Sequence, residues 1–410
     1  MKSIKKKRIN ATIAGMIGNA LEHYDMSLYG FMVPLLISVF LPTVEPINAL
    51  ILTFVFSPIS IIIRPLGAIT IGRIGDKYGR KQALTVSIAG MALATGAIGL
   101  LPGYDSIGLW APITFLLLRS LQGFFIAGES CGGAVFVLEH TEKNKGYLSG
   151  LYCSYAVVGM LGAALMATIT TYLPQNFWRV PYIIGSLTGI LGFYVRTHIK
   201  ETPKFLQYES VKPLDFKRCL AEYKPLLVGI GASGLFSALY LLPVYLMNSL
   251  LPLITSYKLP TIMMVNTSTT ILYMITLPLF GKLADRISIT KSMLLASISV
   301  ILFSYPLISL ISYDNLFYII AMKASFALLT AWFCAPFYAW MHSLFHTKER
   351  YTSISLSYSI GGQLGGSMIP LTLWLWKYTE NLASIYCVLI AWAVIATTSL
   401  YYSKYLNKHD

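Results

Sequence analysis

Charge is scarce in this chain. Only 12% of its 410 residues are Asp, Glu, Lys or Arg, 56% are apolar, and the mean hydropathy is +0.65. That is too little polar surface to cover a soluble globule of this size, so a soluble enzyme or soluble binding module is excluded. Cysteine is scarce too. The five present, Cys131, Cys153, Cys219, Cys334 and Cys387, are too scattered for a disulfide framework or a metal site and read as packing residues. No cofactor is called for. The alternating ten-residue segments of a membrane barrel are also missing, whereas continuous apolar runs of about 20 residues recur, which selects transmembrane helices.

Twelve such runs can be marked, at about 10–40, 47–72, 82–101, 109–138, 147–172, 178–198, 225–249, 259–281, 291–312, 315–343, 351–376 and 381–403. Each is long enough to cross the hydrocarbon layer at about 1.5 Å per residue. The net charge of +14 would suggest nucleic acid in a soluble protein, but its placement decides otherwise. Of the 31 cations, 25 fall on connections on the N-terminal side of the membrane, and only Lys258 and Lys377 fall on the other. By the positive-inside rule both termini are cytoplasmic. The opening Met1–Arg8 resembles the start of a signal peptide, yet the run after it has no small-residue cleavage site and carries acids, so it reads as a retained first helix.

The polar stretch Gly72–Lys81, Gly-Arg-Ile-Gly-Asp-Lys-Tyr-Gly-Arg-Lys, lies between two apolar runs and so is a short connection at a membrane surface. Its glycines at 72, 75 and 79 permit tight turning, and Asp76 can accept from the exposed amides of a helix N-terminus. With Lys77, Arg80 and Lys81 as cations it has the chemistry of a latch. In the first span Asn19, Glu22, His23 and Asp25 interrupt an apolar helix within seven residues, on one arc of about 160°. That face cannot look at lipid, because ionisable groups at membrane depth cost about 2.5 kcal/mol or more each. Arg119 and Glu129, ten residues apart in the fourth span, sit about 15 Å apart along a helix and need partners elsewhere, with the first-span acids the obvious candidates for Arg119. Gly128-Glu-Ser130-Cys-Gly132 fits the nucleophile-elbow pattern of hydrolases, but it lies mid-way along an apolar helix and not in a strand-turn-helix setting.

These motifs resemble those of the major facilitator superfamily, and within it the metabolite:proton symporters, whose members carry proline and betaine, 2-oxoglutarate, citrate or shikimate. The resemblance rests on Gly18-Asn19-x-x-Glu22-x-Tyr24-Asp25 with Tyr29-Gly30, Arg64-Pro65-x-Gly67, the Gly72–Lys81 loop, Arg119-x-x-Gln122-Gly123-Phe124, Gly128-Glu129, Trp178-Arg179-x-Pro181 and Glu201-Thr202-Pro203-x-Phe205. His23, where the family usually has tryptophan, and Ala127, where a second glycine is usual, depart from it. The pattern also begins again. Gly281-Lys-Leu-Ala-Asp285-Arg286 aligns with Gly72-Arg-Ile-Gly-Asp76-Lys77, but continues as Ile287, Ser288, Ile289 and Thr290, which reads as a degenerate latch.

The resemblance implies an all-α integral membrane protein of twelve transmembrane helices in two six-helix pseudo-repeats, 1–198 and 225–410, joined by a cytoplasmic linker at 199–224. A ligand site near the midplane between the halves is expected. The function implied is proton-coupled import of a small polar solute, proline or glycine betaine first, by a monomer in the cell's inner membrane. Its partners are then the solute, protons and lipid, without nucleic acid. A dicarboxylate-type permease, an uncoupled uniporter or exporter, and a non-transporting sensor stay open. Asn19, Glu22, His23, Asp25, Arg119 and Glu129 would handle proton and substrate, with Gly72, Asp76, Lys77, Gly79, Arg80, Lys81, Asp285 and Arg286 forming a cytoplasmic gate. In the second half only Lys323 and His342 are ionisable and well inside a span, Lys323 open to a snorkelling role. The tail after the last span, 404–410, is expected to be too short for the coiled coil of long-tailed osmosensing relatives.

Overall fold

The structure, a computed structural model, describes residues 2–42, 57–198, 201–202, 205, 223–347, 349–379, 381 and 383–406. The start of the second expected span, most of the 199–224 linker and the side chain of Glu129 lie outside the described residues. The described elements are helices joined by short turns, without a strand among them. In lipid this follows from the backbone, since each N–H and C=O must find its partner within the segment.

The chain divides into two compact units, the first comprising Met1–His140, Tyr155–Leu214 and Thr347–Leu356 and the second the remainder. The long helices in order are α1 (Lys2–Phe40), α2 (Ser57–Lys77), α3 (Arg80–Leu100), α4 (Trp110–Glu139), α5 (Lys145–Thr171) and α6 (Arg179–His198). They continue as α7 (Tyr223–Leu241), α8 (Met247–Ile254), α9 (Leu259–Ile287), α10 (Ile289–Ser309), α11 (Leu316–Cys334), α12 (Phe337–Leu344), α13 (Arg350–Gly366), α14 (Met368–Thr379) and α15 (Ala383–Leu406). Among the described residues, eight helical segments are long and apolar enough to cross a membrane. Their surfaces carry exposed Leu93, Leu117, Met264, Leu279, Leu302 and Phe317, the reverse of a soluble protein's exterior and apt for lipid.

In the first unit α3 packs against α4 and α6, and α1 against α4 and α6. Leu28, Met32, Leu36 and Phe40 of α1 join Ile98, Phe115, Trp178 and Tyr182 in one buried cluster. In the second unit Phe236, Phe337, Tyr338 and Tyr358 form an aromatic nucleus, with Tyr152 edge-on to Tyr338 at 5.5 Å.

Three expected spans are not continuous helices. The run at 225–249 passes through a π-helical turn, Leu242–Leu246, between α7 and α8, the run at 315–343 breaks between α11 and α12, and the run at 351–376 breaks between α13 and α14. Pro243, Pro336 and Pro370 lie at the breaks, and each lacks the N–H that would bond the carbonyl four residues back. One freed carbonyl, that of Leu239, is recaptured by Thr330 Oγ1, which donates to it at 3.2 Å.

Candidate functional site

The first-span cluster is buried as its helical arc requires, with Asn19, Glu22 and Asp25 at 1%, 3% and 5% exposure. Asp25 ends a hydrogen-bonded chain that runs through three helices. Arg119 Nη1 donates to Gln122 Oε1 at 2.6 Å, Gln122 Nε2 donates to Thr95 Oγ1 at 2.7 Å, and Thr95 Oγ1 donates to Asp25 Oδ2 at 3.2 Å. Arg119 and Gln122 are one turn apart on α4, so the guanidinium reaches its acid through an amide and a hydroxyl and not directly. Its Cζ also lies 4.1 Å from the centre of the Tyr29 ring, a cation–π contact. Asp25 Oδ1 has no hydrogen-bond partner among the described residues. It abuts Gly185 so closely that any Cβ there would lie 2.2 Å from it. A buried carboxyl tied to a cation by polarisable donors, with one oxygen unclaimed, can take up and release a proton.

His23 Nδ1 donates to the Asn19 carbonyl at 3.0 Å, which leaves Nε2 as the nitrogen whose protonation is open. Tyr24 donates to the Pro181 carbonyl at 3.1 Å, and Arg64 Nη2 lies 3.8 Å from Met26 Sδ. Thr95 was not legible as a site residue, since it sits in a run of small residues without a motif.

The second polar cluster is at the Gly72–Lys81 loop. Asp76 caps the N-terminus of α13, accepting from the amides of Tyr351 at 3.3 Å and Thr352 at 2.9 Å and from Thr352 Oγ1 at 2.6 Å. Gly72 makes the approach possible, because a Cβ there would stand 2.7 Å from Thr352 Cα. Arg80, fully buried, donates to Asp76 at 2.7 Å, to the Gly75 carbonyl and to the Thr347 carbonyl, and pairs with Glu139 at 3.6 Å. Glu139 also accepts from Thr202 Oγ1 at 2.8 Å and from Arg350 at 3.4 Å. Glu201 accepts from the Lys81 amide, and Lys81 Nζ donates to the Thr197 carbonyl. Burial pushes the Asp76 carboxyl above its usual range, with Arg80 and the α13 donors pulling it back. Burial opposes the charge of Arg80, but Asp76, Glu139 and Glu201 hold its guanidinium above its usual range. Lys77 stands over the Tyr78 ring at 4.7 Å and is not drawn into the cluster.

Asp285 repeats the cap within the second unit. It accepts from the amides of Gly146 and Tyr147, both at 2.8 Å, at the start of α5. The second loop therefore keeps the carboxylate cap but not the Gly-Arg-Lys ending, which reads Ser288, Ile289 and Thr290, and Arg286 is exposed. Lys323 does not snorkel. It is fully buried and donates to Asn248 Oδ1 at 2.8 Å and Asn266 Oδ1 at 3.0 Å.

Buried ionisable groups in apolar helices, with paired carboxylate caps at two loops one half-chain apart, define a polytopic membrane transporter built by duplication. The comparisons agree. The model of the Major Facilitator Superfamily matches residues 15–370, and the chain belongs to that family. It is 29% identical over 392 residues to the proline/betaine transporter of Escherichia coli K12, covering 91% of this chain and 78% of that protein. It is 29% identical to the glycine betaine/proline/ectoine/pipecolic acid transporter OusA of Dickeya dadantii, covering 97% and 84%. A putative proline/betaine transporter of Staphylococcus aureus is 32% identical, covering 92% and 83%. Among solved structures, a tryptophan double mutant of XylE superposes with a TM-score of 0.79 at 12% identity, covering 98% of this chain and 96% of that one. The transporter FucP gives 0.72 at 13%, covering 97% and 99%. At such identities these two establish the fold alone: the major facilitator fold.

Proposed function

We propose that this transporter imports proline and glycine betaine in symport with protons, as a monomer with both termini in the cytoplasm. The observation that carries the solute is the similarity, at 29–32% identity over more than nine-tenths of the chain, to relatives named for those two solutes. Proton coupling is supported by the buried Asp25, its chain to Arg119 and its unclaimed oxygen. Glu22, one turn earlier and equally buried, is the alternative carrier. Asp76 and Arg80 form the cytoplasmic latch, which must release the α13 amides in each cycle.

Asp25→Asn keeps the shape and removes the titratable proton. In proteoliposomes it should abolish accumulation of labelled proline against a gradient while proline exchange across the membrane continues. If Asp25→Asn and Glu22→Gln both still concentrate the solute, neither carboxyl carries the proton. Import in the absence of any pH gradient, unaffected by either change, would favour a uniporter.

A further inference from the structure

Lys323 is a cation in the interior of the second unit whose partners are both neutral. An ammonium carries three donors, and two are used, on Asn248 and Asn266. Among the described residues it has no carboxylate partner. Holding a lone cation at membrane depth costs several kcal/mol, and two amide dipoles offset only part of that. Because each amide gives its oxygen to the lysine, its Nδ2 group is turned elsewhere, and that of Asn266 has no described partner.

Asn266 sits at one end of a cleft, and Lys323 stands directly behind it through their hydrogen bond. Its walls are three helical stripes: Tyr240 and Val244 at the α7–α8 π turn, Asn266, Thr269, Thr270 and Tyr273 on α9, and Ala327 and Thr330 on α11. Lys323 lies one turn before Ala327 and two before Thr330 on the same stripe of α11, and Asn248 lies one turn beyond Val244. The π turn re-phases the helix that carries Tyr240 and Asn248, a distortion that recurs at functional sites. The cleft thus has an amide at one end, backed by the Lys323 ammonium, and two tyrosine rings along it. A carboxylate satisfies the first, and an onium group suits the second.

We propose that Lys323, with Asn266, binds the carboxylate of a small zwitterionic solute. The identity of that solute rests on the function proposed above; the carboxylate requirement does not. The test is calorimetric titration of the purified full-length protein with glycine betaine, with choline, which has the same quaternary ammonium without a carboxylate, and with 2-oxoglutarate and citrate. Two variants are compared with the wild type. Lys323→Gln removes the charge, and Asn266→Asp keeps the lysine but gives it a built-in partner, so the result does not depend on one variant folding.

The wild type should bind glycine betaine at least tenfold more tightly than choline, and both variants should lose at least tenfold in betaine affinity while choline is unchanged. Binding of 2-oxoglutarate or citrate in place of betaine, lost in both variants, would uphold Lys323 and overturn the osmolyte reading. Carboxylate binding that survives both variants would overturn Lys323 and leave the osmolyte reading standing. Failure of the wild type to bind any of the carboxylates would overturn the inference.

Discussion

The two loops that follow α2 and α9 solve one problem with different means. Each presents a carboxylate to the second and third amides of a distant helix: Asp76 to Tyr351 and Thr352 of α13, Asp285 to Gly146 and Tyr147 of α5. Each places a glycine one turn earlier, Gly72 or Gly281, where a Cβ would collide with the capped helix. Each then turns through a residue with positive φ, Gly79 at 114° or Ser288 at 100°, and starts the next helix immediately. The difference is in what surrounds the carboxylate. Asp76 is joined to buried Arg80, Glu139 and Arg350, whereas Asp285 is exposed and the position in register with Arg80 is Ile289. A cap therefore needs only the carboxylate and the close approach, and the ion network is a separate addition on one side.

The largest effect should come from removing that addition. Arg80→Gln leaves Asp76 and buried Glu139 without their shared cation and removes the positive charge near half-buried Glu201, a loss of about 3–5 kcal/mol. Yield and thermal stability of the detergent-solubilised protein should fall sharply. Near-wild-type stability would show that the network carries no weight.

Next comes the pair of cap substitutions. Asp76→Asn should cost about 1–3 kcal/mol of stabilisation of the latched state and alter turnover with little change in solute affinity. Asp285→Asn, at an exposed cap, should cost only about 0.3–1 kcal/mol. Equal effects in a transport assay would erase the contrast between the loops.

The backbone offers a sharper comparison. Ser288 holds a left-handed conformation that the other loop gives to glycine, so Ser288→Gly should stabilise by about 1 kcal/mol. Gly79→Ala should destabilise by at least as much, because its Cβ would also meet Glu201. A melting temperature lowered by Ser288→Gly would contradict the strain.

The smallest expected effect is in pH. Burial holds the Glu201 carboxyl above its usual range, against two amide donors and Arg80. The folded protein then keeps a proton that the unfolded chain has released, so this group destabilises above the raised value and the penalty is relieved as pH falls toward about 4.3. Glu201→Gln should gain stability relative to the wild type as pH rises above about 4.3. A difference independent of pH would refute it.

Much of this comparison was legible in the sequence. The Gly-x-x-x-Asp spacing at 72–76 and again at 281–285 marks both caps, because a glycine one turn before a carboxylate is what close helix approach requires. What each carboxylate caps was not legible, since α13 lies some 275 residues from Asp76 and no local pattern records a tertiary partner. The buried arc of Asn19, Glu22 and Asp25 followed from helical periodicity. Its link to Arg119 did not, because Thr95 and Gln122 are ordinary polar residues until three helices bring them together. Lys323 was ambiguous for a related reason: a long cationic stem can reach out or fold inward, and only Asn248 and Asn266, from other helices, decide it. The breaks at Pro243, Pro336 and Pro370 were not legible from proline alone, since Pro65, Pro278 and Pro306 lack the same N–H inside unbroken helices.

Accumulation measures proton-driven solute movement most directly. Purified protein in proteoliposomes should concentrate labelled proline and glycine betaine when the outside is made acidic, and should only equilibrate them when the gradient is collapsed. Accumulation indifferent to the pH gradient, or uptake of neither solute under any gradient, would contradict the account.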